Sequence, residues 1–297
     1  MEAQKELEPP QTKDERSQSL ILESMKQFFQ HKLAVIGSVI VFLFLILAIF
    51  APLIAPYGIN EQSLGERFSA PSAAHWFGTD DFGRDVFSRI VTGAHYSLLA
   101  GFISVILGLT GGLLLGAFAG FYGGLLDQIL MTVCDILLAF PSVLLAMAIV
   151  MVMEPGIYTP MVAVGISSIP VFARLVRAQF MSLRESCFVE AVRSAGAGDL
   201  RIIFRHLLPN SIGPIIIQVT LRIGSSILLA ATLSFLGLGA QPPTPEWGAM
   251  LSAARNYVWT ASYLALIPGI AITITVVAVN LIGDALRDYL DPRTRNM

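Results

Sequence analysis

The stretch "EAVRSAGAGDLRIIFRHLLPN", residues 190–210, sets two acids, three arginines and a histidine inside a chain that is otherwise mostly apolar. These residue types form no nucleophile–base pair and no metal-ligand set, so the chemistry they suit is recognition through charge. Glu190 to Ser194 is good helix-forming material, and Gly196-Ala197-Gly198 should break it. Asp199 then stands where a helix N-cap belongs, with a carboxylate able to accept from free N–H groups. Leu200, Ile203, Phe204 and Leu207 follow at i, i+3, i+4 and i+7, the spacing of one apolar stripe, with Arg201, Arg205 and His206 off it. Pro209 interrupts the pattern just before the next apolar run. The expectation is two short helices joined at a glycine turn and lying flat beneath a membrane. A basic interfacial helix on anionic lipid is one reading; a shaped surface docked into a partner is the other, and Glu190 and Gly196 favour it.

Other polar residues invite chemistry of their own. Asp80, Asp81 and Asp85 stand close together with Arg84 and Arg89, but the acid spacing and closing glutamate of a calcium loop are missing. Asp85 and Arg89 are four apart, which suits a helical ion pair. Arg222 and Asp135 fall inside apolar runs, where insertion scales assign about 2.5–3.5 kcal/mol to such a charge at a helix centre. Each should therefore face protein or water, either lining a polar route or forming a buried pair. Arg174 and Arg177, near the inner end of their run, suit snorkelling to the interface. Cys134 and Cys187 provide neither a disulfide framework nor metal-ligand spacing. The four histidines, His31, His75, His95 and His206, are scattered and belong to no H-E-x-x-H motif, and no G-x-S-x-G is present. All four lysines lie in the first 32 residues, so no G-x-x-x-x-G-K-[ST] phosphate loop exists in the body of the chain.

The elements that must position these residues are membrane spans. The 297 residues are 55% apolar and 13% charged, with a mean hydropathy of +0.70; soluble domains carry about 25% charge. A hydrocarbon core of about 30 Å needs about 20 apolar residues of helix. Residues 33–55 are long enough, and lie too far along the chain, to be an anchor rather than a signal-peptide core. Further runs at 97–121, 128–153, 159–180, 212–236 and 262–284 bring the expected number to six. With the N-terminus inside, Lys and Arg number five before the first span, six across 174–209 and three after the sixth, against four in the outer segments. That asymmetry satisfies the positive-inside rule and places both termini in the cytoplasm. Pro141, Pro170 and Pro268 fall inside spans and can kink them. Gly108, Gly112, Gly116 and Gly120 recur at four-residue steps on one helix face, where another helix can approach at backbone distance. Packing within the bundle and a subunit-contact or sliding surface both fit that pattern.

With these residues in view, the chain resembles a known family. "EAVRSAGAGDLRIIFRHLLP" is similar to the E-A-A-x3-G-x9-I-x-L-P loop of permease subunits in ATP-binding-cassette importers, with Glu190, Ala191, Gly196, Leu208 and Pro209 matching. Val192 replaces the second alanine and His206 the isoleucine. "HWFGTDDFGRDVFSRIVTGAHYSLLAG" at 75–101, "DILLAFPSVLLA" at 135–146, "LSFLGLGAQPPTPEWGAML" at 233–251 and "GDALRDYLDPR" at 283–293 resemble the dipeptide, oligopeptide and nickel branch, in particular its second, C-type subunit. The resemblance covers residues 30–295. It implies an all-α membrane protein: a cytoplasmic segment 1–32, an anchor 33–55, an extracytoplasmic segment 56–96, a five-span core 97–286 and a cytoplasmic tail 287–297. Within that core, the coupling loop 184–209 would fit a cleft on the ATPase. It further implies that Glu190, Ala191, Gly196, Asp199, Leu208 and Pro209 contact the ATPase. Asp80, Arg84, Asp85, Glu246 and Trp247 would face an extracytoplasmic substrate-binding protein, with the three prolines of "AQPPTPEW" stiffening that surface.

The expected partners are a second, non-identical permease subunit, two ATPase subunits, the substrate-binding protein and lipid, with no nucleic acid. ATP and Mg would sit on the ATPases, leaving no cofactor and no catalysis to this chain. A secondary transporter would need paired inverted repeats and intramembrane ion ligands. No repeat is visible in the sequence, and the loop at 190–208 would be unexplained. Dipeptides, longer peptides, glutathione and nickel chelates are all substrates within the resembled branch.

Overall fold

The computed structural model describes residues 31–290, Leu290 without its side chain. The segment before His31 and the tail from 291 onward, both expected in the cytoplasm, lie outside the described residues. Helix α1 (Lys32–Ile49) is followed by a short turn of helix, α2 (Ala51–Ile54). The long α3 (Val86–Tyr122) leads through Gly123 into α4 (Gly124–Ala139) and α5 (Ser142–Val152). Then come α6 (Thr159–Arg184), α7 (Cys187–Ser194), α8 (Asp199–Ile202), a π turn (Ile203–Leu207) and α9 (Leu208–Asn210). Helices α10 (Ile212–Phe235), α11 (Trp247–Ala254) and α12 (Tyr263–Leu290) complete the chain. Five of these helices are long and apolar enough to cross a membrane, and six spans result if α4 and α5 count together.

Two expectations are modified here. The run 128–153 is not one straight span, because α4 and α5 meet at 97°. Pro141 lacks the N–H that would continue the helix and cannot fit an interior turn, so the backbone leaves helical geometry at Phe140 and Pro141. Pro170 and Pro268 stay within α6 and α12. The second span begins at Val86 rather than near 97. At 1.5 Å per residue α3 is about 55 Å long, well beyond the hydrocarbon thickness of about 30 Å. Its first turns therefore belong to the extramembrane cap formed with residues 56–85.

The α3–α6 contact is the centre of the bundle. The glycines four apart on α3 all face α6 and are buried. A Cβ on Gly112 would lie 2.3 Å from the Phe172 Cβ and 2.8 Å from the Ala173 nitrogen. Only a residue without a side chain lets the two backbones come that close. The stripe is thus used within this chain, as bundle packing. At the other flank α1 packs on α12 through Gly37, while its outer residues, such as Phe42 and Leu43, remain exposed. A helix apolar all round with so little burial within its own chain is suited to lipid or to another membrane subunit.

Candidate functional site

The charged block at 190–210 forms a helical knuckle. α7 ends at Ser194 with Ala195 as its C-cap, and Gly196 turns the chain with φ +82°. That left-handed conformation is easy for glycine and costs an L-residue about 1–2 kcal/mol. The turn ends at Gly198, which occupies the N-cap position of α8. Asp199 is the first helical residue and makes no side-chain cap bond. The expected N-cap role is thus shifted by one residue, although an acid in the first turn still complements the helix dipole.

The apolar stripe also differs from the expectation. Ile202, Ile203 and Leu207 are buried, whereas Leu200 and Phe204 are 59% and 50% exposed. The π turn at Ile203–Leu207 accommodates more residues per turn than an α-helix, so the regular i, i+3, i+4 phase is lost there. Val189, Ile202, Ile203 and Leu207 join Phe121, Val176 and Phe180 in one apolar cluster at the inner ends of α3 and α6. Each fully buried side chain of this kind contributes about 1.5–3 kcal/mol, so the knuckle is fixed to the bundle. Glu190, Ala191, Arg193, Gly196, Asp199, Arg201, Arg205 and Pro209 remain exposed, and Leu208 is half-buried. Arg193 stacks its guanidinium 5.6 Å from the Phe121 ring centroid. The outer face therefore combines Leu200 and Phe204 with separated charges of both signs.

The outer cap uses similar residues in the opposite way. Asp80, Arg84, Asp85, Arg89, Glu246 and Trp247 are all buried. The receptor-facing role expected of Asp80, Arg84, Asp85, Glu246 and Trp247 is therefore corrected: their side chains hold the cap together. Asp80 accepts from Arg84 Nε at 2.7 Å and from the Phe82 and Arg84 backbone N–H groups. Arg89 Nε lies 3.6 Å from Asp80, and Arg89 also donates to the Ile59 carbonyl at 3.0 Å. Asp85 does not pair with Arg89. It caps α3 by accepting from the Ser88 N–H at 2.7 Å, and its other oxygen meets His75 Nδ1 at 3.0 Å. Burial and the neighbouring Asp80 push the half-buried Asp81 carboxyl above its ordinary range.

Glu246 caps α11, accepting from the Gly248 and Ala249 N–H groups at 2.9 Å each. Burial raises its pKa, opposed by hydrogen bonds from those two N–H groups, Ser234 and Ser97. Trp247 is fully buried and donates from Nε1 to the Ile90 carbonyl at 3.0 Å. In "AQPPTPEW" only the first part is at the surface: Gln241, Pro242 and Pro243 are exposed, and Pro245 onward is buried.

Within the membrane region Asp135 and Arg222 do not meet. Asp135 pairs with Arg174, and Asp127 pairs with Arg177, whose Nη2 lies 2.6 Å from Oδ2. Both pairs tie α4 to α6, so Arg174 and Arg177 do not simply snorkel. The sequence did carry a signal for this: acids eight apart on α4 share a face, as do arginines three apart on α6. Arg222 instead lines a cavity with serines from α5, α6 and α10.

A helical bundle with a broken third span and an exposed knuckle at one end defines a multi-pass membrane protein. Among solved structures, the methionine ABC transporter MetNI in an inward-facing form aligns with a TM-score of 0.56 at 18% identity, covering 68% of this chain and 97% of that one. The likeness shows the shared fold. Residues 112–296 match the family described as binding-protein-dependent transport system inner membrane component, and residues 19–71 match the N-terminal TM domain of oligopeptide transport permease C. The chain is 48% identical to a dipeptide transport system permease protein, DppC, of Alkalihalophilus pseudofirmus, across 92% of this chain and 90% of that protein. It is 47% identical to a glutathione transport system permease protein, GsiD, of Pectobacterium atrosepticum, across 92% and 91%. The chain belongs to the binding-protein-dependent permease family of ABC importers, in its dipeptide/oligopeptide branch, and is a multi-pass membrane protein.

Proposed function

We propose that this chain forms half of a peptide translocation pathway and is driven by ATPase subunits that grip residues 190–208. The observation that carries the reading is the knuckle itself. Its outer face is exposed, while its inner face is anchored in the cluster that joins α3 and α6. A rigid part fixed at one end to the span bundle transmits displacement rather than absorbing it. Glu190, Ala191, Gly196, Asp199, Leu208 and Pro209 make up the ATPase contact, with Leu200 and Phe204 adding apolar area. ATP and Mg act on the two ATPase chains, and this subunit makes and breaks no bond.

A second, non-identical permease subunit completes the pathway by covering lipid-like faces such as that of α1. A substrate-binding protein delivers peptide to the outer cap, whose exposed Trp76, Phe82, Pro242 and Pro243 replace the buried residues as its contact surface. Both termini are cytoplasmic, consistent with the lysine and arginine distribution. The layout is an anchor at 33–55, an outer segment, a five-span core carrying the coupling loop 184–209, and a tail from 287. The 47% identity to glutathione permeases supports glutathione, itself a modified tripeptide, as a second substrate reading.

Reconstitution tests the function. Vesicles holding both permease subunits and the ATPases, supplied with the binding protein, are expected to accumulate labelled dialanine or trialanine only with ATP. Accumulation by this chain alone, driven by an ion gradient, would overturn the reading.

A further inference from the structure

Arg222 is a charge near the middle of a span for which no partner is found among the described residues. It sits near the middle of α10, and its side chain makes no hydrogen bond or ion pair among the described residues. Arg222 lines a cavity of about 200 Å³ between α5, α6 and α10, and no acidic residue lines that cavity. The other intramembrane arginines behave differently, since Arg174 and Arg177 each have an aspartate.

The walls beside Arg222 are rich in hydroxyls: Ser142, Ser167, Ser168, Ser225, Ser226 and Thr232. Their hydrogen-bond states sort them. Ser167 and Ser168 donate to the Val164 carbonyl, Ser225 to that of Arg222 and Thr232 to that of Leu228. Ser142 and Ser226 donate to nothing among the described residues, so their O–H groups are available to a ligand. An unpaired guanidinium with two free hydroxyl donors, walled otherwise by Val143, Val164, Leu228 and Leu229, is chemically complementary to a planar anion with apolar flanks.

We propose that this cavity is a carboxylate subsite of the translocation pathway, in which Arg222 receives the C-terminal carboxylate of the peptide while Ser142 and Ser226 donate to it. The proposal rests on the peptide-import reading and adds to it which end of the substrate the spans hold. Because α5 lies beyond the 97° break and α6 carries the knuckle's anchor, the subsite is built from helices whose relative positions the ATPases would alter. Motion of the knuckle would then change the fit around the carboxylate, holding and releasing it.

The test uses the complete importer in vesicles with trialanine as probe. Arg222→Gln is expected to cut ATP-dependent trialanine uptake at least tenfold, and Arg222→Lys, which keeps the charge but not the planar fork, to restore part of it. Both complexes should elute intact on size exclusion. A second measurement reads the cavity directly. In a protein carrying Cys134→Ser, Cys187→Ser and Ser225→Cys, an anionic thiosulfonate should label position 225 at least tenfold faster than a cationic one. Arg222→Gln should erase that preference, and trialanine, but not trialanine amide, should slow the labelling.

Normal trialanine uptake by Arg222→Gln, or equal protection by the acid and the amide, would overturn the subsite while leaving peptide import intact. Failure of the unmodified importer to move trialanine at all would instead strike the underlying reading. Dissociation of the permease pair in Arg222→Gln would mean that Arg222 meets a carboxylate of the second subunit, and would likewise overturn the proposal.

Discussion

The outer cap and the inner knuckle draw on the same residue types, and the structure treats them in opposite ways. In the cap, Asp80, Arg84, Asp85 and Arg89 are buried and bonded to one another, to backbone groups or to His75. In the knuckle, Glu190, Arg193, Arg201 and Arg205 stand in solvent on a face whose underside is anchored by Ile202, Ile203 and Leu207. Charge in a loop is therefore not itself a sign of a docking surface. What distinguishes the two is whether the charges have partners inside the fold, and that decides whether a substitution damages stability or association.

The largest expected effect lies in the cap. Asp80→Ala removes the acceptor for two backbone N–H groups and leaves Arg84 and Arg89 buried without it. Breaking a buried pair by deleting one partner costs about 3–5 kcal/mol. Chemical denaturation of the purified protein should register that loss. A variant of unaltered stability would show that the cap's charges are not a structural network.

Between the two regions lies the α3–α6 seam, which joins cap to knuckle. Gly112→Ala places a methyl 2.3 Å from the Phe172 Cβ, so the helices must part. Overpacking of this kind costs about 1–3 kcal/mol, readable as a lowered thermal midpoint. A neutral outcome would mean that the seam is looser than its geometry.

A smaller effect is the pH dependence contributed by Glu246. Its pKa is raised in the fold above the ordinary value of 4.5. Below 4.5 the carboxyl is protonated in folded and unfolded chains alike, and it contributes nothing to the pH dependence. As pH climbs past 4.5 the folded state keeps a proton that the unfolded state loses, so stability falls until the folded pKa is reached. Glu246→Gln, whose amide oxygen can still cap α11, should flatten that decline. Melting curves from pH 4 to 8 would show the difference between the two proteins, and identical slopes would contradict the assignment.

How much of this could be read in the sequence depended on the physical signal. Spans two and four were legible because long apolar runs have few alternatives to a buried helix, and in span two Gly108, Gly112, Gly116 and Gly120 recur every fourth position. The glycine turn at 196–198 was legible for a similar reason, since only glycine tolerates φ +82° at so little cost. The right-angle break was less so: Pro141 announces a kink, but a proline does not by itself set an angle of 97°. The exposure of Leu200 and Phe204 was hidden by the π turn, which no residue pattern marks. The burial of the cap's acids was illegible because hydrophilic residues in a loop look the same whether they face water or one another. For Asp135, spacing marked the acids on one face of α4 and the arginines on one face of α6, but which arginine it meets depended on how α4 crosses α6.

The smallest stability effect carries the most functional weight. Glu190 is exposed and has no partner among the described residues, so Glu190→Lys should change stability by no more than about 0.5 kcal/mol. Co-purification of the ATPase subunits with tagged Glu190→Lys, measured beside its unfolding curve, tests the knuckle most directly. Docking through the knuckle predicts an unchanged unfolding curve together with at least a tenfold loss of bound ATPase. Full retention of the ATPases at normal stability would contradict it.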